Sequence, residues 1–213
     1  MKTIIIGAGG HARTILEILN LDRNIDVVAF VDNVVRGPDE KIIGIPVYGD
    51  HSVLPRLFLT CVKAAIIGIG DNKIRKAYFE QIGNMGAEMV NAIHPTASIA
   101  HNVKIGKGVV IAAGATIATG VRIENNVIVN TGSIIEHEDV LGAHVHIASG
   151  TVLAGRVKVR EGAFIGAGCV VKEYITIGIN AIIGAGSVVL EDIPDNAVAV
   201  GAPAKVIKIV GDK

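Results

Sequence analysis

Val109-Val110-Ile111-Ala112-Ala113-Gly114-Ala115-Thr116-Ile117-Ala118-Thr119-Gly120-Val121-Arg122-Ile123 repeats an aliphatic residue at every sixth place. A six-residue frame set on Ala97 extends this stretch in both directions. The third residue of each hexad is then Ile99, Ile105, Ile111, Ile117, Ile123, Val129, Ile135, Leu141, Ile147, Leu153, Val159, Ile165, Val171, Ile177, Ile183 and Val189, sixteen in succession. The first residue of each hexad is small or β-branched, Asp139 excepted. A period of six fits neither a helix at 3.6 nor an amphipathic strand at 2. It fits a coil with three short flat sides, each of which sends one aliphatic residue inward. Three hexads close one turn, so sixteen predict about five stacked coils, a triangular parallel β-helix. Gly and Asn often end the unit, where the chain turns a corner that favours positive φ. Ordinary hairpins would have to keep the same spacing by accident throughout.

The composition agrees with such a coil. Half of the 213 residues are hydrophobic and only 3% are aromatic, so Val, Ile, Leu and Ala must fill the interior. Twenty basic residues balance twenty acidic ones. That balance removes the cationic footprint of a nucleic-acid or anionic-membrane binder and favours small-molecule or protein partners. Cys61 and Cys169 have no metal-ligand spacing and read as reduced thiols in or near the core. The apolar start at Met1–Ile6 is too short for a signal-peptide core, and no apolar run approaches the ~20 residues that span a bilayer. A soluble, cytoplasmic protein is expected, without membrane insertion.

Near residue 92 the pattern changes, which predicts two domains, 1–92 and 93–213. Lys2–Ile6 reads as a buried strand, Gly7-Ala8-Gly9-Gly10-His11-Ala12 as a tight turn, and the stretch with Ile15, Leu16, Ile18 and Leu19 as a helix. Val27–Val31 forms a second strand that ends in Asp32-Asn33. Ala64–Ile69 forms a third, which runs into Gly70-Asp71-Asn72-Lys73-Ile74-Arg75 and a helix to about Met85. Two strand–glycine–helix units imply a small parallel, Rossmann-like sheet with ligand contacts at the carboxyl ends of its strands. Gly7-x-Gly9-x-x-Ala12 matches the dinucleotide fingerprint, with Asp32 near the ribose-reading position. A nicotinamide dehydrogenase needs a second half-sheet and a substrate domain, and here the hexads stand in their place. The turn therefore reads as a nucleotide or nucleotide-sugar site, a bare structural turn being the alternative.

Polar residues crowd the repeat at Asn130-Thr131-Gly132-Ser133-Ile134-Ile135-Glu136-His137-Glu138-Asp139, and His144 and His146 follow. A neutral imidazole, titrating near 6.5 when unperturbed, is suited to take a proton from an amine or hydroxyl that attacks a thioester. His137 is the candidate base and Glu138 the group that holds its other ring nitrogen, the base-plus-orienter logic of a triad without a protein nucleophile. His144 reads as a surface or interface residue. His137, His144 and His146 lie too close in sequence for the ligand set of zinc-dependent β-helix enzymes, so no metal is expected.

With these residues in place the chain resembles the hexapeptide-repeat sugar acetyltransferases, in particular the group of bacillosamine-pathway N-acetyltransferases and sialic-acid O-acetyltransferases. The resemblance rests on Ile6-Gly7-Ala8-Gly9-Gly10-His11, Phe30-Val31-Asp32-Asn33, Ile69-Gly70-Asp71-Asn72-Lys73-Ile74-Arg75 and Ile93-His94-Pro95. It continues through the Asn130–Glu138 stretch, His144-Val145-His146-Ile147 and the closing Val200-Gly201-Ala202-Pro203-Ala204-Lys205. It implies an α/β Rossmann-like domain followed by an all-β left-handed parallel β-helix, assembled as a homotrimer with active sites between neighbouring prisms. It also implies acetyl-CoA as co-substrate, direct transfer without an acyl-enzyme, His137 as general base and Glu138 as its partner. His146 resembles the family's second histidine near the thioester, and Gly155, Ala167 and Ala185 fall where the family lines the pantetheine channel. The nucleotide-sugar would touch Gly9, Gly10, His11, Asp32, Asn33 and Gly70, with Asn72 and Arg75 beyond. A UDP-linked 4-amino-4,6-dideoxy sugar in glycan or polysaccharide synthesis is the expected acceptor. GDP-perosamine and a sialic-acid hydroxyl are the alternatives within the enzyme class, and a non-catalytic nucleotide-binding trimer is the alternative outside it.

Overall fold

The computed structural model describes residues 1–34, 37, 39–49, 51–60 and 62–211; Cys61 lies outside the described residues. The chain divides into two compact units, Met1–Ala92 and Ile93–Lys213.

The first unit is built on β1 (Lys2–Ile6), α1 (Gly10–Leu19), β2 (Asp26–Val31), β3 (Lys41–Ile42), β4 (Ile45–Tyr48), α2 (Leu54–Thr60), β5 (Ala64–Ile67), α3 (Asn72–Asn84) and β6 (Glu88–Met89). The strands run in the order β3-β4-β2-β1-β5-β6, with β1 parallel to both β2 and β5. An antiparallel β3–β4 pair extends one edge, an addition to the parallel sheet expected from the sequence. The chain steps from β1 to β2 on one side and reaches β5 on the other, so the sheet's switch point lies at the carboxyl ends of β1 and β5, where ligands of such sheets gather. There α1 is drawn tightly onto β5. A Cβ placed on Gly68 would come within 2.7 Å of Ala12 Cβ, and β5 ends at Ile67, two residues short of the aliphatic run in the sequence. Ala12, Ile15, Leu16, Ile18 and Leu19 form the buried stripe of α1.

The second unit is the triangular left-handed β-helix. Sixteen two-residue strands follow one another every six residues, from Ser98–Ile99 to Val188–Val189. Up to Val170–Val171 each pairs in parallel with the strand 18 residues on, as in Thr116↔Ile134, Arg122↔Val140 and Ile128↔His146. Three faces result. The first carries Val110–Ile111, Ile128–Val129, His146–Ile147, Phe164–Ile165 and Ile182–Ile183; the second runs from Ser98–Ile99 to Val188–Val189; the third runs from Lys104–Ile105 to Thr176–Ile177. From Ile111 to Val189 every third-position residue is buried, none more than 3% exposed. A slip of one residue would turn this whole file outward, so burial fixes the register.

One inward file is polar and satisfies itself on the coil above. Ser133 Oγ donates to Ala148 O, Thr151 Oγ1 to Gly166 O and Cys169 Sγ to Gly184 O, each at 3.0 Å. Cys169 is thus a buried free thiol, pushed up in pKa by burial. The axis ends where Ala197–Gly201 joins the first face and folds back against Ala204–Ile209.

Candidate active site

The three corners of the prism are built differently. Between the first and second faces the left-handed residue is glycine in every coil: Gly114, Gly132, Gly150, Gly168 and Gly186. Between the third and first faces it is Gly108, Asn126, His144, Gly162 and Asn180, and His144 Nδ1 lies 2.8 Å from Asn126 Nδ2 in a buried contact. Between the second and third faces the file reads Gly120, Glu138 (φ 62°), Arg156 (φ 54°) and Tyr174 (φ 63°). Large side chains rarely occupy this region of φ, and His137 immediately precedes the first of them.

At that corner His137 Nδ1 lies 3.3 Å from Glu138 Oε2. The carboxylate can only accept, so in the neutral ring this contact calls for the hydrogen on Nδ1 and leaves the lone pair on Nε2. Nε2 lies over Gly155, where a Cβ would come within 3.0 Å of it. Arg156 Nε donates to the same Glu138 oxygen at 2.7 Å, and Arg156 Nη1 donates to Tyr174 OH at 2.6 Å. The guanidinium also stands 5.4 Å from the Tyr174 ring centroid. His137, Glu138 and Arg156 are each about half exposed. The Arg156 hydrogen bond, then that of His137, holds the Glu138 carboxyl below the usual carboxylate range, and Glu138 in turn raises Arg156.

Asp139 turns the other way, into the core. It is fully buried, Oδ1 accepts the Val157 N–H at 2.7 Å, and burial pushes its carboxyl up to about 7. The sequence marked Asp139 as the exception among first-position residues without assigning it a consequence. Arg156 and Tyr174 were not singled out at all, although the 18-residue turn places both in file with Glu138.

The residues expected along the cofactor channel separate within one chain. Gly155 lies against His137. His146 is buried on the first face, edge-on to Phe164 with ring centroids 5.1 Å apart. That face lies opposite the corner of His137. Ala167 and Ala185 are exposed at the glycine corner, where Gly186 N donates to Ala167 O at 2.8 Å.

In the first unit, a pocket of about 250 Å³ opens at the carboxyl ends of β1, β2 and β5, lined by Gly7, Asp32, Asn33, His51, Ile69 and Tyr78 among others. Gly9 and Gly10, exposed, begin α1, with His11 in its first turn; Gly70 is exposed beyond β5 and Asn72 opens α3. Asp32 Oδ2 accepts the Ala8 N–H at 2.6 Å and Oδ1 the Val34 N–H at 3.0 Å, so this carboxylate ties the glycine turn to the loop after β2. Asn33 Nδ2 donates to Tyr78 OH at 3.3 Å, and Tyr78 OH lies 3.1 Å from His51 Nδ1. Arg75 turns inward rather than toward the pocket mouth: it is 1% exposed and Nη1 donates to Ile69 O and Gly70 O. Burial lowers its pKa to about 10. His51 and Tyr78 were missed in the sequence because neither sits in a glycine turn. Among the described residues no three His, Cys, Asp or Glu side chains are grouped to hold a metal, and no helix is long and apolar enough to cross a membrane.

Fold and corner together define a hexapeptide-repeat transferase with a small Rossmann-like sheet in its first unit. Residues 2–82 match the PglD N-terminal domain family and residues 91–119 the bacterial transferase hexapeptide family. A mutant GDP-perosamine N-acetyltransferase from Caulobacter crescentus, solved with CoA and GDP-perosamine, is 37% identical over 98% of this chain and 97% of its own, with a TM-score of 0.92. The acetyltransferase domain of PglB from Neisseria gonorrhoeae, solved with acetyl coenzyme A, is 31% identical over 97% and 98% with a TM-score of 0.88. UDP-N-acetylbacillosamine N-acetyltransferase of Bacillus subtilis is 35% identical over 119 residues, 53% of this chain; the match spans about half of that enzyme, 52%. The chain belongs to the hexapeptide-repeat sugar acetyltransferase family.

Proposed function

We propose that the protein transfers the acetyl group of acetyl-CoA to the amine of a nucleotide-linked amino sugar, with His137 as general base. The observation that carries this reading is the His137–Glu138 pair, with Nε2 turned away from the carboxylate over a glycine that leaves room for a substrate amine. The amine nitrogen attacks the thioester carbonyl as His137 Nε2 takes its proton, and Glu138 steadies the resulting imidazolium through Nδ1–H. The tetrahedral intermediate then expels the CoA thiolate, which recovers that proton from His137. The pocket at the β1, β2 and β5 ends holds the nucleotide, with phosphate at the open turn of Gly9 and Gly10. A single prism turns His137 and His146 to opposite sides. If both histidines and the alanines at the glycine corner line one cleft, as the family resemblance implies, different subunits of a homotrimer supply them. The test is thioester consumption dependent on the amine acceptor. His137→Ala is expected to lower turnover at least ~100-fold; wild-type turnover in that variant refutes the role.

A UDP-linked 4-amino-4,6-dideoxy sugar is the acceptor favoured by the sequence reading, and the bacillosamine relative supports it. The match over nearly the whole chain to a GDP-perosamine enzyme favours the guanosine-linked sugar as a second reading. UDP, GDP and CMP compared as protectants against thermal unfolding decide between them, since only the nucleotide that fits stabilises the fold by mass action.

A further inference from the structure

We propose that Arg156 and Tyr174 are positioning residues of this site: together they hold the Glu138 carboxylate at the Nδ1 edge of His137 and set how much of its charge the imidazole feels. The inference rests on the reading of His137 as base. It starts from the backbone. Where the other two corners take glycine or asparagine in every coil but that of His144, this one places Glu138, Arg156 and Tyr174 in left-handed conformation on three successive coils. Such conformations are disfavoured for these residue types, persist where the surroundings over-determine them, and cluster at functional sites.

The side chains show what that backbone holds in place. Successive residues of the file stack one coil apart, so Arg156 lies between Glu138 and Tyr174 and reaches both, by 2.7 Å and 2.6 Å hydrogen bonds from different nitrogens of one planar group. An isolated exposed ion pair would contribute little. Here the phenol fixes the far end of the fork and the ring lies beneath the cation, which restricts the guanidinium and through it the carboxylate. Lysine has one ammonium and no fork, so it keeps the charge without the geometry.

Glu138 Oε2 is shared: Arg156 Nε stands at 2.7 Å and His137 Nδ1 at 3.3 Å. The shorter bond gives the guanidinium the larger share of the carboxylate. Without Arg156, the uncompensated carboxylate would favour the imidazolium, leaving less neutral His137 at a given pH, and the ring would be held less firmly for proton transfer. The other titratable groups next to His137 are Glu136, whose Oε2 accepts the His137 backbone N–H at 3.4 Å, and Asp139, buried under the corner.

Carbethoxylation of His137 by diethyl pyrocarbonate, followed by peptide mass spectrometry from pH 5 to 8, reads the neutral imidazole without any substrate. Arg156→Gln is expected to move the midpoint of the rate upward by about 0.5 pH unit, and to do so again in an Asp139→Asn background, while Arg156→Lys stays near wild type. With acetyl-CoA and GDP-perosamine or the UDP-linked amine, Arg156→Gln and Tyr174→Phe are each expected to lower kcat about tenfold, with KM for acetyl-CoA within twofold. An Arg156→Gln midpoint equal to wild type, a shift that vanishes when Asp139 is replaced, or an unchanged kcat in both variants overturns the proposal. Failure of the base reading looks different: His137→Ala would retain turnover, whatever the reagent reports for Arg156.

Discussion

Replacing Asp139 by Asn should change how the stability of the protein depends on pH. The side chain is fully buried, in file with Val121 and Val157 on the neighbouring coils, and its carboxyl is pushed up to about 7 by burial. An aspartate in the unfolded chain titrates near 3.9. Between about 4 and about 7 the native state therefore keeps a proton that the unfolded state has released, so stability is full below that window and falls as pH rises through it. From pH 5 to pH 8 the loss covers close to two pH units, about 2.6 kcal/mol at 1.36 kcal/mol per unit. The amide of the Asp139→Asn variant would keep an oxygen for the Val157 N–H and carry no charge. Urea unfolding of both proteins at pH 5, 6, 7 and 8, at one fixed chain concentration, should show the variant gaining about 2–3 kcal/mol on the wild type across the series and nothing further above pH 8. A difference that stays constant with pH, or that moves against the variant as pH rises, would refute a buried neutral carboxyl at this position.

Gly155→Ala would place a methyl group 3.0 Å from His137 Nε2 on a backbone at φ 101°; it should lower kcat at least ~10-fold and stability by about 1–2 kcal/mol. Steady-state kinetics alongside thermal unfolding check this, and an unaltered kcat would mean the ring does not rest on Gly155 during turnover. Gly68→Ala would press a methyl group to within 2.7 Å of Ala12 Cβ. Amide exchange should then show β1 and β5 losing about 1–3 kcal/mol of protection while the β-helix amides keep theirs.

The β-helix was legible because each hexad states the same thing: one inward aliphatic residue, buried in the structure at every coil from Ile111 to Val189. His137 and Glu138 stood out as charge in an apolar repeat. Their supports did not, since Arg156 and Tyr174 join them only through left-handed backbone, and Glu, Arg and Tyr give no signal of that conformation as Gly or Asn would. In the first unit Asp32 and Arg75 were legible as polar groups near glycine turns, but not in orientation. The Ala8 and Val34 amides take both oxygens of one, and the carbonyls of Ile69 and Gly70 draw the other inward. His51 and Tyr78 meet across 27 residues of chain, a contact that no local period encodes.

The same repeat explains why chemistry would settle on a corner. Positions one and three of each hexad point inward and tolerate little but aliphatic or small residues; position two sits in a parallel ladder. Positions five and six form the turn, where a side chain can change without opening a hole in the core. His137, Gly155, Ala167 and Ala185 are all fifth-position residues, and Glu138, Arg156 and Tyr174 are all sixth-position residues. A prism can therefore place its imidazole, its seat and its supporting file at one corner and small residues at another, with the aliphatic axis unaltered. Asp139 is where charge crosses into the inward set, one residue beyond Glu138, and the stability it loses as pH rises is what the Asp139→Asn variant is designed to measure.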